Sequence, residues 1–198
     1  MKSIRIAGAG KIIGGEYDEI KVSGSATIEG EIKCNLFKSA GTMKCDSSIS
    51  SKEFKASGSG KIEGNLKVDT GKVSGAIRIE GALEGSKFEV AGSIVVTDDV
   101  NVDEFTAKIS NGSFKNIYGD NVKINSDGSF LNNFFHEVVK NITVDSIEAT
   151  NICIKDVNAE SISGEVVCIE SGCKVKIVEY SKSLDISSKA TVERIIKL

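Results

Sequence analysis

The 198-residue sequence contains no proline, no tryptophan and one histidine, and each of these shortages is informative. A single histidine, His136, excludes any site that is built from several histidines. The absence of proline suits a chain in which nearly every backbone N–H donates to a β-ladder or a tight turn. No apolar run approaches the roughly 20 residues that a membrane-spanning helix needs.

The charge is nearly balanced, with 25 basic and 28 acidic side chains and a formal net charge of −3. This balance gives no support for binding nucleic acid or an anionic membrane through non-specific attraction. The opening residues, MKSIRIAGAG, lack the apolar stretch of a signal peptide. We therefore expect a cytoplasmic protein without a transmembrane segment; membrane association by other means stays open.

The sequence has five cysteines, at positions 34, 45, 153, 168 and 173, and none forms a C-x-x-C pair. A zinc ribbon or a thioredoxin-type motif is therefore unsupported, and we expect neither a metal site nor a cofactor. A redox-active or metal-binding thiol is the functional alternative. The pattern favours small apolar side chains in a reduced interior, because Cys34 and Cys45 fall at inward positions of the repeat described next.

Apolar residues recur every 17 residues over much of the region 20–124. One column of this repeat contains four phenylalanines: Phe37, Phe54, Phe88 and Phe105. Another column contains five glycines: Gly24, Gly41, Gly58, Gly75 and Gly92. Each repeat also carries three apolar pairs, whose members lie two residues apart. Alternation with a period of two is typical of a strand with one buried face, and the apolar spacing of a helix is absent here.

Three short strands joined by three glycine-rich corners close one triangular coil. Stacked coils place each side in a parallel sheet, with strands about 4.8 Å apart. One coil is unstable alone, because ordering it costs roughly 20–30 kcal/mol, whereas its four or five buried aliphatic side chains contribute about 8–12 kcal/mol. The sequence therefore predicts an all-β fold: a single-stranded parallel β-helix, or solenoid, with triangular coils of about 17 residues stabilised by their neighbours.

We predict a single β-helix domain over residues 1–198. Regular coils are expected over 4–127, where the first coil is offset by one residue. The segment 128–141, GSFLNNFFHEVVKN, interrupts the pattern and suits either a protruding turn or a short helix. Beyond it, apolar pairs recur every five residues, which predicts tighter coils over 142–198.

Three segments share the form S-G-x-x-x-I-E-G-x-(I/L): VSGSATIEGEIKCN (22–35), ASGSGKIEGNLKV (56–68) and VSGAIRIEGALEG (73–85). In these serial copies the sequence resembles the bactofilins, the polymer-forming cytoskeletal proteins of bacteria. The resemblance covers 4–124 well and 142–198 loosely. It implies a right-handed β-helix that assembles end to end into non-polar filaments without a nucleotide.

The two ends of such a solenoid are the predicted self-association sites. Each end exposes unpaired backbone groups over an apolar cross-section, and an edge of this kind recruits another edge. The candidate residues lie in the first and last coils: Ile4, Ile6, Ile195, Ile196 and Leu198. We therefore expect a structural protein without enzymatic activity, whose partner is a second copy of itself in a homo-oligomer or filament.

Two other functions stay open. A monomeric binding or scaffold module would present a rod face or the 128–141 segment to a protein partner. Its apolar anchor would consist of Phe130, Leu131, Phe134 and Phe135. An acyltransferase of the left-handed β-helix kind would need a catalytic histidine, and His136 is more typical of a surface residue.

Charged residues also fall in columns. Six lysines share one outward position: Lys21, Lys38, Lys55, Lys72, Lys123 and Lys140. Four acidic residues share another: Glu29, Asp46, Glu63 and Glu80. Opposed stripes of this kind suit side-by-side association or a membrane surface. A solvated outer face, with lysines that discourage wrong edge pairing, is the simpler interpretation.

Overall fold

The computed structural model describes residues 2–126 and 141–198, and every regular element within them is a β-strand. Nine strands form one parallel sheet in chain order. Their bounds are β1 (Lys2–Cys45), β2 (Ile49–Ile62), β3 (Leu66–Ile79), β4 (Leu83–Val96), β5 (Val100–Ser126), β6 (Asn141–Ile154), β7 (Asn158–Ile169), β8 (Lys174–Ile186) and β9 (Thr191–Lys197). The chain therefore winds as a β-solenoid, and the predicted all-β parallel β-helix is confirmed. No helix in the described part of the chain is long and apolar enough to cross a membrane.

The register between neighbouring strands follows the 17-residue step of the sequence. Phe37 on β1 pairs with Phe54 on β2, which pairs with Gly71 on β3. The step is the same from β3 to β4 and through the first part of the pairing between β4 and β5. Equivalent positions of successive repeats therefore lie beside one another in the ladder.

The predicted phenylalanine column forms the centre of the core. Phe37, Phe54, Phe88 and Phe105 are all 0% exposed. The rings of Phe37 and Phe54 stack with centroids 5.3 Å apart and planes inclined by 16°. The rings of Phe88 and Phe105 stack at 6.5 Å, also at 16°. Gly71 stands between the two stacks, where a Cβ would come within 2.2 Å of the Phe88 ring, so Phe88 occupies the space that Gly71 leaves.

The glycine column forms a corner that other residues cannot reproduce. Gly41 adopts a φ of +132°, and a Cβ placed on it would lie 2.1 Å from the carbonyl oxygen of Gly24 in the preceding coil. Both the backbone conformation and the close approach of two coils therefore require glycine. The same combination recurs along the column at Gly24, Gly58, Gly75 and Gly92.

The column changes where the sequence places Ile109 instead of glycine. Gly92 pairs with Ile109, but the next pair is Ser93 with Asn111, so the step lengthens by one residue at this corner. Ile109 is fully buried. Because a β-branched residue does not tolerate the positive φ of the other corners, the chain inserts a bulge there and turns the side chain inward.

The coils after residue 141 differ in length. β6 pairs with β7 at a step of 15 residues, as in Cys153 with Cys168, in agreement with three sides of five residues. The step between β7 and β8 is 16 residues up to Gly164 and 17 beyond a register shift. The step between β8 and β9 is again 17. The expectation of tighter coils throughout 142–198 is therefore wrong for the last coils, because this bulge restores the longer repeat.

Candidate functional site

The solenoid exposes apolar core positions at its C-terminal end. β9 is the last strand of the sheet and pairs only with β8 among the described residues. In the register, Ile162 on β7 leads to Val178 on β8 and then to Ile195 on β9. Ile162 and Val178 are 0% exposed, whereas Ile195 is 51% exposed. Ile195 is thus a core residue whose outer side lacks the next coil.

The other two candidates near this end lie differently. Leu198 is 69% exposed, and its backbone N–H donates to the carbonyl oxygen of Tyr180 at 2.8 Å, which holds the residue against β8. Ile196 pairs with Glu179 and is half-buried. Because side chains alternate along a strand, Ile196 lies on the face opposite to Ile195, toward the outside of the coil. The end surface at β9 is therefore formed by Ile195 and Leu198.

The N-terminal end carries Ile4 and Ile6. Both are half-buried and pack against the core, two residues apart on one face of β1. Ile6 lies across Gly10, where a Cβ would meet its Cδ1 at 2.9 Å. Gly8 marks the edge: it has a φ of +99°, and no described atom lies within 4 Å of a Cβ built on it. At Gly24, one coil later, the same position is closed by the carbonyl of Gly8 at 2.3 Å.

These two ends share the chemistry of an unfinished sheet. A terminal strand in a parallel ladder presents N–H and C=O groups along its free edge, and another strand can pair with them. Charged side chains border the edges without covering them: Lys2, Arg5, Glu193, Arg194 and Lys197 are exposed. An apolar cross-section framed by a free backbone edge can bind a second edge of the same kind.

The sides of the rod are different, because their charges are paired between coils. Lys67 donates to Glu84 one coil away at 2.9 Å, and this bond raises the pKa of the Lys67 ammonium. Lys44 and Lys61 both lie 3.3 Å from the carboxylate of Glu63 and lower the pKa of that carboxyl. The predicted stripes of lysine and acid therefore neutralise one another locally. Exposed pairs contribute little stability, so they act mainly to keep the faces solvated.

The predicted partner patch cannot be described. Phe130, Leu131, Phe134, Phe135 and His136 lie outside the described residues. The step between β5 and β6 is 30 residues, which shows that the intervening segment is inserted within the coil. Its predicted end at residue 141 is one residue too late, because Asn141 already belongs to β6 and pairs with Asn111.

The cysteines divide into two groups. Cys34, Cys45 and Cys173 are buried, as expected of small apolar side chains. Cys153 and Cys168 are only half-buried, so the interpretation as interior filler is wrong for them. They are register partners on β6 and β7, and their sulfurs lie with a carboxylate oxygen of Glu170 in a group whose atoms are all within 4.8 Å of one another. A search for C-x-x-C misses this cluster, although the five-residue recurrence after residue 141 places Cys153 and Cys168 three sides apart.

The chain matches no protein-family model, no curated protein and no solved structure. The candidate sites therefore stand on the geometry of this molecule. They are the surface formed by Ile195 and Leu198 on β9, the edge at Ile4, Ile6 and Gly8 on β1, and the cluster of two thiols and one carboxylate on the side of the rod.

Proposed function

We propose that the protein is a structural scaffold whose solenoids associate end to end into filaments, without a nucleotide and without enzymatic activity. The observation that carries the proposal is the interrupted core column at β9, where Ile195 is 51% exposed directly beyond the fully buried Val178. The resemblance of the S-G-x-x-x-I-E-G repeats to the bactofilins, polymer-forming cytoskeletal proteins, supports it.

The magnitudes indicate which groups must contribute to such a contact. Burying a whole leucine or isoleucine side chain contributes about 1.5–3 kcal/mol, so the exposed parts of Ile195 and Leu198 offer roughly 2–4 kcal/mol together. Association of two molecules costs about 4–15 kcal/mol in lost translational and rotational freedom. The apolar surface alone is therefore insufficient, and pairing of the free backbone edges has to add to it.

The same comparison predicts that the contact is sensitive to single substitutions. A lysine at position 195 or 198 removes apolar area and places a charge against the opposing end. Leu198→Lys is the milder change for the fold, because the side chain is 69% exposed. Val166→Lys is the matched control, since Val166 is 38% exposed on β7, away from both ends.

Sedimentation velocity and negative-stain electron microscopy of the purified proteins test the proposal. We expect the wild-type protein and Val166→Lys to form long particles that grow with concentration, and Ile195→Lys and Leu198→Lys to remain small with unchanged far-UV circular dichroism. A wild-type protein that stays strictly monomeric at high concentration would contradict end-to-end assembly and favour a monomeric binding module. Filaments of equal length from all four proteins would show that β9 is not the contact.

A further inference from the structure

The cluster on the side of the rod consists of Cys153, Cys168 and Glu170. Ile152 and Ile154 flank Cys153 on β6, Val167 and Ile169 flank Cys168 on β7, and all four side chains are buried. Because side chains alternate, both thiols point to the outer face of the same sheet. The backbone N–H of Glu170 donates to the carbonyl oxygen of Ile154 at 2.8 Å, which continues the ladder and places Glu170 on the same face as Cys168.

The distances in this cluster fit a small tetrahedral cation. The Sγ of Cys153 lies 3.5 Å from the Oε1 of Glu170, and the three ligand atoms are within 4.8 Å of one another. With Zn–S bonds of about 2.3 Å and Zn–O bonds of about 2.0 Å, a tetrahedral zinc ion separates a sulfur from an oxygen ligand by about 3.5 Å and two sulfurs by about 3.8 Å. Small side-chain rotations therefore suffice to bring all three atoms to bonding distance.

We propose that Cys153, Cys168 and Glu170 form a binding site for a thiophilic divalent cation, for which Zn²⁺ is the best match. Two thiolates exclude Mg²⁺ and Ca²⁺, which take oxygen ligands, while the carboxylate makes the set harder than the all-sulfur sites that Cu⁺ prefers. Three protein ligands leave one position of a tetrahedron open, and the solvent-filled groove beside Val166 and Cys168 leads to it.

The surrounding charges are compatible with a bound cation. Two thiolates, one carboxylate and Zn²⁺ carry one net negative charge. Lys123 is the register partner of Cys153 on β5, and its ammonium can offset that charge. Asp185, the register partner of Cys168 on β8, lies on the other side and adds to the attraction for a cation.

Binding has to displace protons from the thiols. Burial, together with the neighbouring Cys168 and Glu170, raises the pKa of the Cys153 thiol, so the metal-free thiol is protonated at neutral pH. The ion takes the place of the two thiol protons, which pass to solvent. Affinity for Zn²⁺ should therefore increase with pH. This inference does not rest on end-to-end assembly, because the cluster lies on the side of the rod.

Titration with Co²⁺ and then Zn²⁺, in the presence of a phosphine reductant, tests the site. We expect Co²⁺ to produce a thiolate-to-metal charge-transfer band in the near ultraviolet and one equivalent of Zn²⁺ to abolish it. Cys153→Ser and Cys168→Ser should each weaken binding by more than the about 10-fold to 100-fold that loss of an outer-shell partner causes. Glu170→Gln should weaken it less, because the amide oxygen can still approach the ion.

The matched control is Cys34→Ser. Cys34 pairs in register with Ser51, so its column already contains a serine, and the variant should bind Zn²⁺ like the wild type. Absence of a charge-transfer band in the fully reduced wild-type protein would overturn the proposal. So would unchanged Zn²⁺ affinity in a variant that lacks both Cys153 and Cys168, provided that far-UV circular dichroism shows the solenoid intact.

Discussion

The glycine corners allow one comparison that isolates the contact between stacked coils. Gly8 and Gly41 occupy equivalent corners, with φ values of +99° and +132°, so an alanine at either position meets an unfavourable backbone conformation. They differ in what a Cβ would contact. At Gly41 it would lie 2.1 Å from the carbonyl oxygen of Gly24, whereas at Gly8 no described atom lies within 4 Å.

The expected magnitudes follow from these two terms. An alanine held in a conformation that favours glycine costs about 1–3 kcal/mol, and this term is common to both substitutions. Overpacking costs typically about 1–3 kcal/mol more. At Gly41 the obstructing atom is a backbone oxygen fixed in the ladder, so it cannot rotate away. We therefore expect Gly41→Ala to lose about 3 kcal/mol more stability than Gly8→Ala.

Guanidinium unfolding followed by far-UV circular dichroism measures this difference. The two variants and the wild type should be compared at one low protein concentration, because association adds a concentration-dependent stabilisation. We expect Gly8→Ala to shift the midpoint slightly and Gly41→Ala to shift it strongly. Equal losses of stability in the two variants would refute the argument that coils meet at these carbonyls.

Three further predictions concern the core, a thiol and the rod surface. Phe54→Ala should lower the free energy of unfolding by about 3–5 kcal/mol and Phe54→Leu by clearly less in denaturant titrations, because Phe54 is fully buried and stacks on Phe37 at 5.3 Å; equal losses would contradict the stacked core. Burial raises the pKa of the Cys34 thiol to about 11, so mass spectrometry should show about 100-fold slower iodoacetamide labelling at pH 8 than for an unfolded cysteine, and equal rates would contradict its burial. A double-mutant cycle on Lys67 and Glu84, whose charged atoms are 2.9 Å apart, should give a coupling of at most about 1 kcal/mol that shrinks with added salt; a larger, salt-independent value would contradict an exposed pair.

The regular part of the solenoid could be predicted from periodicity alone. The phenylalanines at 37, 54, 88 and 105 and the corner glycines recur at one spacing, and each structural repeat uses that spacing as its register. This works because a coil has only one way to bury its apolar pairs against the next coil. Handedness stays a prediction, since spacing does not determine it.

The departures from the pattern could not be predicted in the same way. Ile109 breaks the glycine column, and only the structure shows that the corner is rebuilt with an extra residue. The shift after Gly164 likewise restores a longer coil that the five-residue recurrence did not indicate. Both are bulges, whose position depends on local backbone geometry and not on the apolar pattern.

The metal cluster was missed for a related reason. Cys153 and Cys168 are brought together by a 15-residue register, so they are distant in sequence and match no local motif. Glu170 joins them because the ladder continues past the end of β7. The end surface at β9 was predicted in part: Ile195 and Leu198 are exposed, whereas alternation turns Ile196 to the outer face.

Fibre diffraction from aligned assemblies tests end-to-end association most directly. Coils stack along the solenoid axis with the strand spacing of about 4.8 Å. If solenoids join end to end, that axis is the filament axis, and the 4.8 Å reflection should lie on the meridian. A reflection at this spacing on the equator would show that the rods associate side by side, and it would contradict the assignment of β9 as the contact surface.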